Sequence, residues 1–231
     1  MRKQMLGLAC LCVFGLLAAG VARADSVYYL TKSLSGMSSA PTSTLCGGTS
    51  CFGVVDVSLS GGTATTTVTL TSGVDFVNTT SGGGDVHETF AFNLPSTFTL
   101  SNISTVSGWT LEATGQEAGY GTFSFNFDCG SNCTPPGTST LDSLTFTVSG
   151  TGSVNPFLTL SGAGNSSFTG EGNTTFAADV IDKTSTGGGL TGVVADDGAN
   201  PSVIPEPPSL LLLGTGLLFL AGTFKAKLLL A

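Results

Sequence analysis

Four cysteines lie between the two ends of this chain, at Cys46, Cys51, Cys129 and Cys133. An even number in an exported chain favours disulfides. The C-x4-C and C-x3-C spacings suggest two local staples, Cys46–Cys51 and Cys129–Cys133. Four cysteines allow three connectivities, so crossed pairings stay open, and a four-thiolate zinc site is the rival chemistry. His87 is the one histidine, and no G-x-S-x-G elbow accompanies it. A serine triad and a histidine metal site are therefore both poorly supplied, and a strand-edge position beside Glu88 is the plainer reading. A glycosidase needs only two opposed carboxylates, and the many acids supply candidates without locating a pair. Asp196-Asp197-Gly198 suggests a calcium loop but lacks alternating D-x-D-x-D spacing. Thr63, Thr65, Thr67, Thr69 and Thr71 alternate strictly. On a strand they share one face about 6.8 Å apart, a candidate binding face for sugar or ice, or simply a solvated one. Trp109 and Tyr120 are further candidates for stacking on sugar. No catalytic residue, metal site or cofactor is expected.

The elements that must position these residues have a period near two. Val55, Val57 and Leu59 alternate with Asp56 and Ser58. Similar runs are Phe90-Phe92-Leu94, Phe98-Leu100, Phe123-Phe125-Phe127 and Leu144-Phe146-Val148. Each places large apolar groups on one face and small hydroxyls on the other. Turn residues punctuate the runs, and no long helical period interrupts them. The expected body is all-β, an antiparallel, jelly-roll-like β-sandwich with a Phe-rich core. Thr31 to Ser50 reads as irregular.

The two ends are different. MRKQMLGLACLCVFGLLAAGVARADS has a basic start, an apolar core and small residues at Ala22 and Ala24 before Asp25. That is the pattern of a secretory signal peptide cut after Ala24, which implies the Sec translocon and signal peptidase as partners. At the other end, Pro205-Glu206-Pro207 precedes an uncharged stretch from Leu210 to Phe224, then Lys225 and Lys227. Fifteen helical residues span about 22 Å, and snorkelling lysines could extend the reach. Lysines beyond the segment fit a membrane stop with the body facing out of the cytoplasm.

Proline motif, Gly-punctuated apolar helix and basic residues, in that order, resemble a PEP-CTERM sorting signal over roughly residues 203–227. The body is also similar to uncharacterised β-domains of that group, in His87–Leu94, Gly119-Tyr120-Gly121, and Phe176–Asp179 before Thr191-Gly192. The resemblance implies a bacterial exported protein processed by an exosortase. It would be anchored transiently in the inner membrane, then placed at the cell surface or outside, where extracellular polysaccharide is a candidate partner. Tails of this sort have also been associated with ice-binding proteins.

The expected organisation is thus a signal helix over 1–24, a β body over 25–186, a Gly/Pro-rich linker over 187–204, and a sorting segment with a transmembrane helix over 205–231. Three functions follow: a non-enzymatic surface or matrix protein, a polysaccharide- or ice-binding module, or a carbohydrate-active enzyme.

Composition sharpens this division. Charged residues are 10% of 231, with 7 bases and 15 acids, yet mean hydropathy is +0.37. Five of the bases lie in the two ends, so residues 25–204 carry 14 acids against Lys32 and Lys183, a net charge of −12. A phosphate footprint needs clustered Lys and Arg, so nucleic acid is excluded as a partner. Solubility of the body must instead come from its glycine-rich turns and its many Ser and Thr hydroxyls.

Overall fold

A computed structural model describes residues 25–33, 37, 39–79, 88–117, 120–133, 141–152, 154–157, 174–184, 189–198 and 202–204. The signal segment with Ala22 and Ala24, His87, the Pro205-Glu206-Pro207 motif, the Leu210–Phe224 stretch, Lys225 and Lys227 lie outside them. Among the described residues no helix is long and apolar enough to cross a membrane.

The described chain is all-β. Its strands are β1 (Asp25–Ser33), β2 (Gly53–Ser60), β3 (Gly62–Leu70), β4 (Val74–Phe76), β5 (Phe90–Phe92), β6 (Thr110–Glu117), β7 (Gly121–Asp128), β8 (Ser143–Gly152), β9 (Phe176–Asp182), β10 (Leu190–Asp196) and β11 (Ser202–Ile204). One antiparallel ladder runs in the order β6-β7-β5-β9-β10-β1-β2-β3-β8, with β4 added on β9 and β11 on β1. The expectation was two separate packed sheets. Hydrogen bonding instead carries through a single sheet that curls on itself. Phe146 of β8, at one end of the path, lies 5.0 Å from both Phe92 of β5 and Phe127 of β7, near the other end.

The period-two reading explains the curl's inner face. Val55 and Val57 of β2, Ala64, Val68 and Leu70 of β3, and Leu144, Phe146 and Val148 of β8 are buried. Phe90, Phe92, Phe127 and Phe176 are also buried, and Phe90 stacks on Phe176 at 5.9 Å. A fully buried Phe or Val contributes about 1.5–3 kcal/mol relative to exposure. A sheet with one such face must close over it, because one apolar layer exposed to water is not stable.

Two segments depart from expectation. Phe98-Leu100 forms no strand: Leu100–Asn102 is a 3-10 turn, and Leu100 is 41% exposed. Phe98 N–H donates to the Pro95 carbonyl, and Asn102 Oδ1 accepts from the Thr99 backbone N–H. Local turn chemistry wins where only two large apolar residues alternate. The larger correction concerns 187–204. Part of this supposed linker, Leu190–Asp196, is β10, an interior strand between β9 and β1. Val193, Val194 and Ala195 are buried on both faces. Small residues buried on two faces show no alternation, so the strand hides behind its glycines. The compact body is Asp25–Val203.

Strand β9 organises the rest. One edge carries β10. The other carries β4 at Val180–Asp182 and then β5 at Phe176–Ala178. Between them, Val77 N–H donates to the Asp179 carbonyl and Asp179 N–H donates to the Thr89 carbonyl. β4 and β5 are thus two halves of one split partner, and the split falls opposite Asp179.

Candidate functional site

The split places several acids near one corner of the sheet. Asn126 of β7 pairs in register with Glu112 of β6 and with Ala91 of β5. Asp128 follows two residues later, on the same face of the strand. Glu88 stands just before β5. A Cβ added to Gly115 would lie 2.8 Å from Asn126 Nδ2 and 3.0 Å from Glu88 Cγ, so these groups converge where β6 has no side chain. Burial pushes the Glu88 carboxyl up to about 7, with Glu112 and Asp128 adding repulsion. Asp128 Oδ1 accepts from Asn78 Nδ2 at 2.5 Å, from Gly130 N–H at 2.8 Å and from Thr89 Oγ1 at 3.4 Å. Asn126 is fully buried, and neither its amide nitrogen nor its oxygen has a hydrogen-bond partner.

Asp179 is the other notable acid. Its Oδ2 accepts from Thr79 N–H at 3.1 Å and Thr79 Oγ1 at 2.5 Å, while Oδ1 is buried without a partner. Burial pushes it up to about 7, against the opposing hydrogen bonds from Thr79 and the Val180 backbone. It holds Thr79, three residues past the end of β4.

Each sequence candidate now has a place. Cys46 is bonded to Cys51, and Cys129 to Cys133. The first pair closes a loop around the Thr44–Cys46 turn. The second sits beside β5, where Thr89 Oγ1 accepts from Cys129 N–H at 3.3 Å. Asp196 is no calcium ligand: it is buried, and its carboxylate accepts backbone N–H bonds from Thr175, Phe176 and Gly198. Burial raises its pKa all the same. Trp109 packs edge-on against Phe76 at 5.3 Å and is partly buried, and Tyr120 is buried, so both contribute to the packing. Among the described residues, no trio of His, Cys, Asp or Glu is arranged to hold a metal by itself.

The threonine row divides. Thr63, Thr65, Thr67 and Thr69 share the outer face of β3, opposite buried Ala64, Thr66, Val68 and Leu70. Thr71 lies past the strand, buried, and donates to the Cys51 carbonyl. Neighbouring strands extend the row sideways. Thr67 faces Asp56 and Thr145, Thr65 faces Ser58 and Thr147, and Thr63 faces Ser60 and Ser149. The outer face of β2-β3-β8 is therefore a hydroxyl grid three strands wide. One polar row was legible in the chain; the grid depends on register and was not.

The residues missed altogether are Asn126 and its acidic neighbours. Asn126 stands between Phe125 and Phe127, where the alternation marks it only as an outward position. No protein family, curated protein or solved structure matches the chain.

Proposed function

We propose that this chain is an exported surface or matrix protein, non-enzymatic in its body and sorted by an exosortase through its PEP-CTERM-like tail. The observation that carries the reading is the division of the chain. The compact unit Asp25–Val203 is bounded by the expected signal cleavage before Asp25 and by the sorting motif at Pro205. Strand β1 begins at Asp25, so removal of the first 24 residues leaves the described body whole. The two local disulfides fit an oxidising compartment. The curled sheet is consistent with a jelly-roll-like sandwich, its two layers meeting where Phe146 packs on Phe92 and Phe127. In this reading a signal helix and a transmembrane helix flank that body.

The test is the mass of the mature protein in a host with and without its exosortase. Processing near Pro207 is expected only when the enzyme is present. An unchanged tail in both hosts overturns the sorting reading.

One observation favours a second role alongside this one. The hydroxyl grid on β2-β3-β8 offers repeated donors and acceptors about 4.8 Å apart across strands and about 6.8 Å along them. Such a face suits a repeating hydroxyl-rich partner, polysaccharide or ice. Glycan-array binding or thermal hysteresis, lost on changing Thr65, Thr67 and Thr69 to lysine, would support it; neither signal in the unaltered protein removes it.

A further inference from the structure

The hydroxyl grid does not end at β2. Strand register continues its face onto β1, where the chemistry changes. Tyr29 lies opposite Val54, which lies opposite Thr69 and then Ser143. In the next row Val27 lies opposite Asp56, then Thr67 and Thr145. Residues directly opposite in an antiparallel ladder share a face. Tyr29 therefore stands on the outer face, while its chain neighbours Tyr28 and Leu30 are buried in the core. Tyr29, Val27 and Val54 are half-buried, and Asp56 and Thr145 are exposed. The Thr145 hydroxyl donates to Thr67 Oγ1 at 3.3 Å. One side of the surface thus carries an aromatic ring with two valines, and the other carries hydroxyls around a carboxylate.

Resting on the binding role proposed above for the grid, we propose that this face takes a neutral polysaccharide, with Tyr29 stacking on a sugar ring and Asp56, Thr67 and Thr145 hydrogen-bonding its hydroxyls. A sugar ring has an apolar C–H face and a hydroxyl rim, and the two sides of this surface match them. Tyrosine suits such a partner, because its ring is apolar and its tip is polar. An ionised carboxylate only accepts hydrogen bonds, and sugar hydroxyls donate them. Charge selects the class of polysaccharide. Asp56 is the one charged side chain in these two rows, and the body holds 14 acids against two bases. An anionic chain would be repelled within the Debye length, about 8 Å at physiological ionic strength. Ice offers hydroxyl chemistry alone, with no apolar face for Tyr29 and the valines. A neutral polysaccharide answers ring, hydroxyls and carboxylate together.

The dimensions agree with a chain laid across the strands. The row from Tyr29 to Ser143 crosses four strands, a span of about 14 Å at about 4.8 Å per spacing. A pyranose ring is roughly as wide as one such spacing, so successive rings meet side chains of successive strands. The hydrogen bond from Thr145 to Thr67 fixes two of those hydroxyls before any ligand arrives, which lowers the ordering cost of binding.

The experiment uses the purified exported protein on an array of neutral hexasaccharides and their uronic-acid counterparts, then calorimetry with the neutral hexasaccharide bound best. Selective binding to neutral chains is expected. Tyr29→Ala and Asp56→Asn should each weaken it about tenfold, with Tm measured alongside to show that the variants fold. If Tyr29→Ala does not fold, Asp56→Asn and Thr145→Lys, both at exposed positions, decide. Binding that these variants leave unchanged, but that is lost on changing Thr65, Thr67 and Thr69 to lysine, keeps the grid as a glycan surface and overturns the placement on Tyr29 and Asp56. Preference for the anionic chains, or thermal hysteresis without glycan binding, overturns the neutral-polysaccharide assignment and leaves the grid a binding face. Loss of both signals in the unaltered protein removes the grid reading and this one with it.

Discussion

Asp179 shows how one buried group can set the response of the body to pH. Its carboxyl is pushed from 3.8 up to about 7 by burial, with Thr79 donating against the trend. The folded state therefore keeps a proton that the unfolded chain releases near pH 4. The resulting stability is fully present below about pH 4 and is lost as pH rises through about 7. Glu88, also raised to about 7, acts with the same sign. Urea midpoints measured from pH 4 to 8 should fall, by an amount on the order of 2–4 kcal/mol for Asp179. Asp179→Asn should flatten the profile. A midpoint independent of pH in the unaltered protein would sink this account. At the same scale, Gly53 faces the Thr69 backbone carbonyl at 2.7 Å from an added Cβ. Backbone cannot rotate away as a side chain can. Gly53→Ala is expected to cost about 1–3 kcal/mol by chemical denaturation.

At the scale of elements, β10 carries the sharpest test. It lies between β9 and β1, so removing it opens the middle of the sheet. A chain ending at residue 186, the body boundary expected from composition, should show no cooperative unfolding, whereas one ending at 204 should retain it. Equal behaviour of the two chains would return β10 to linker status. The disulfides act more gently. Each closes a short loop, with sequence separations of 5 and 4, worth about 2 kcal/mol by loop entropy. Replacing either pair with serine should lower the urea midpoint without abolishing folding. The strands themselves were readable from Phe and Val alternation in β2, β5, β7 and β8, because a half-buried strand writes its two faces as a period of two. β10 was not readable, since burial on both faces removes that period. The Phe98-Leu100 run was readable but misleading, since Pro95 and the Thr99–Asn102 turn take the backbone elsewhere.

At the scale of the whole molecule, the body and its two ends obey different physics. The ends hold five of the seven bases, and the body is acidic. The described sheet starts at Asp25, so a cut before that residue costs it nothing. Mass spectrometry of the exported protein should find Asp25 as the mature N-terminus; an N-terminus inside β1, beyond Leu30, would contradict the fold as well as the cleavage. The core joins distant segments. Phe146→Ala should cost about 3–5 kcal/mol, because Phe146 meets Phe90, Phe92, Phe127 and Phe157 where the sheet closes.

The amino-acid sequence by itself determined the all-β class, the inward Phe and Val positions, the acidic hydroxyl-rich surface and the candidate cysteine pairs. These properties are local: a two-residue period, a short loop or a run of one residue type needs no knowledge of what lies opposite. The tertiary structure alone decided that the strands form one curled sheet, that β10 fills its middle, and that Thr63, Thr65, Thr67 and Thr69 belong to a three-strand grid. It also brought Glu88, Glu112, Asp128 and Asn126 together from three parts of the chain. Strand register selects such neighbours, and register is set by which apolar faces meet in the core.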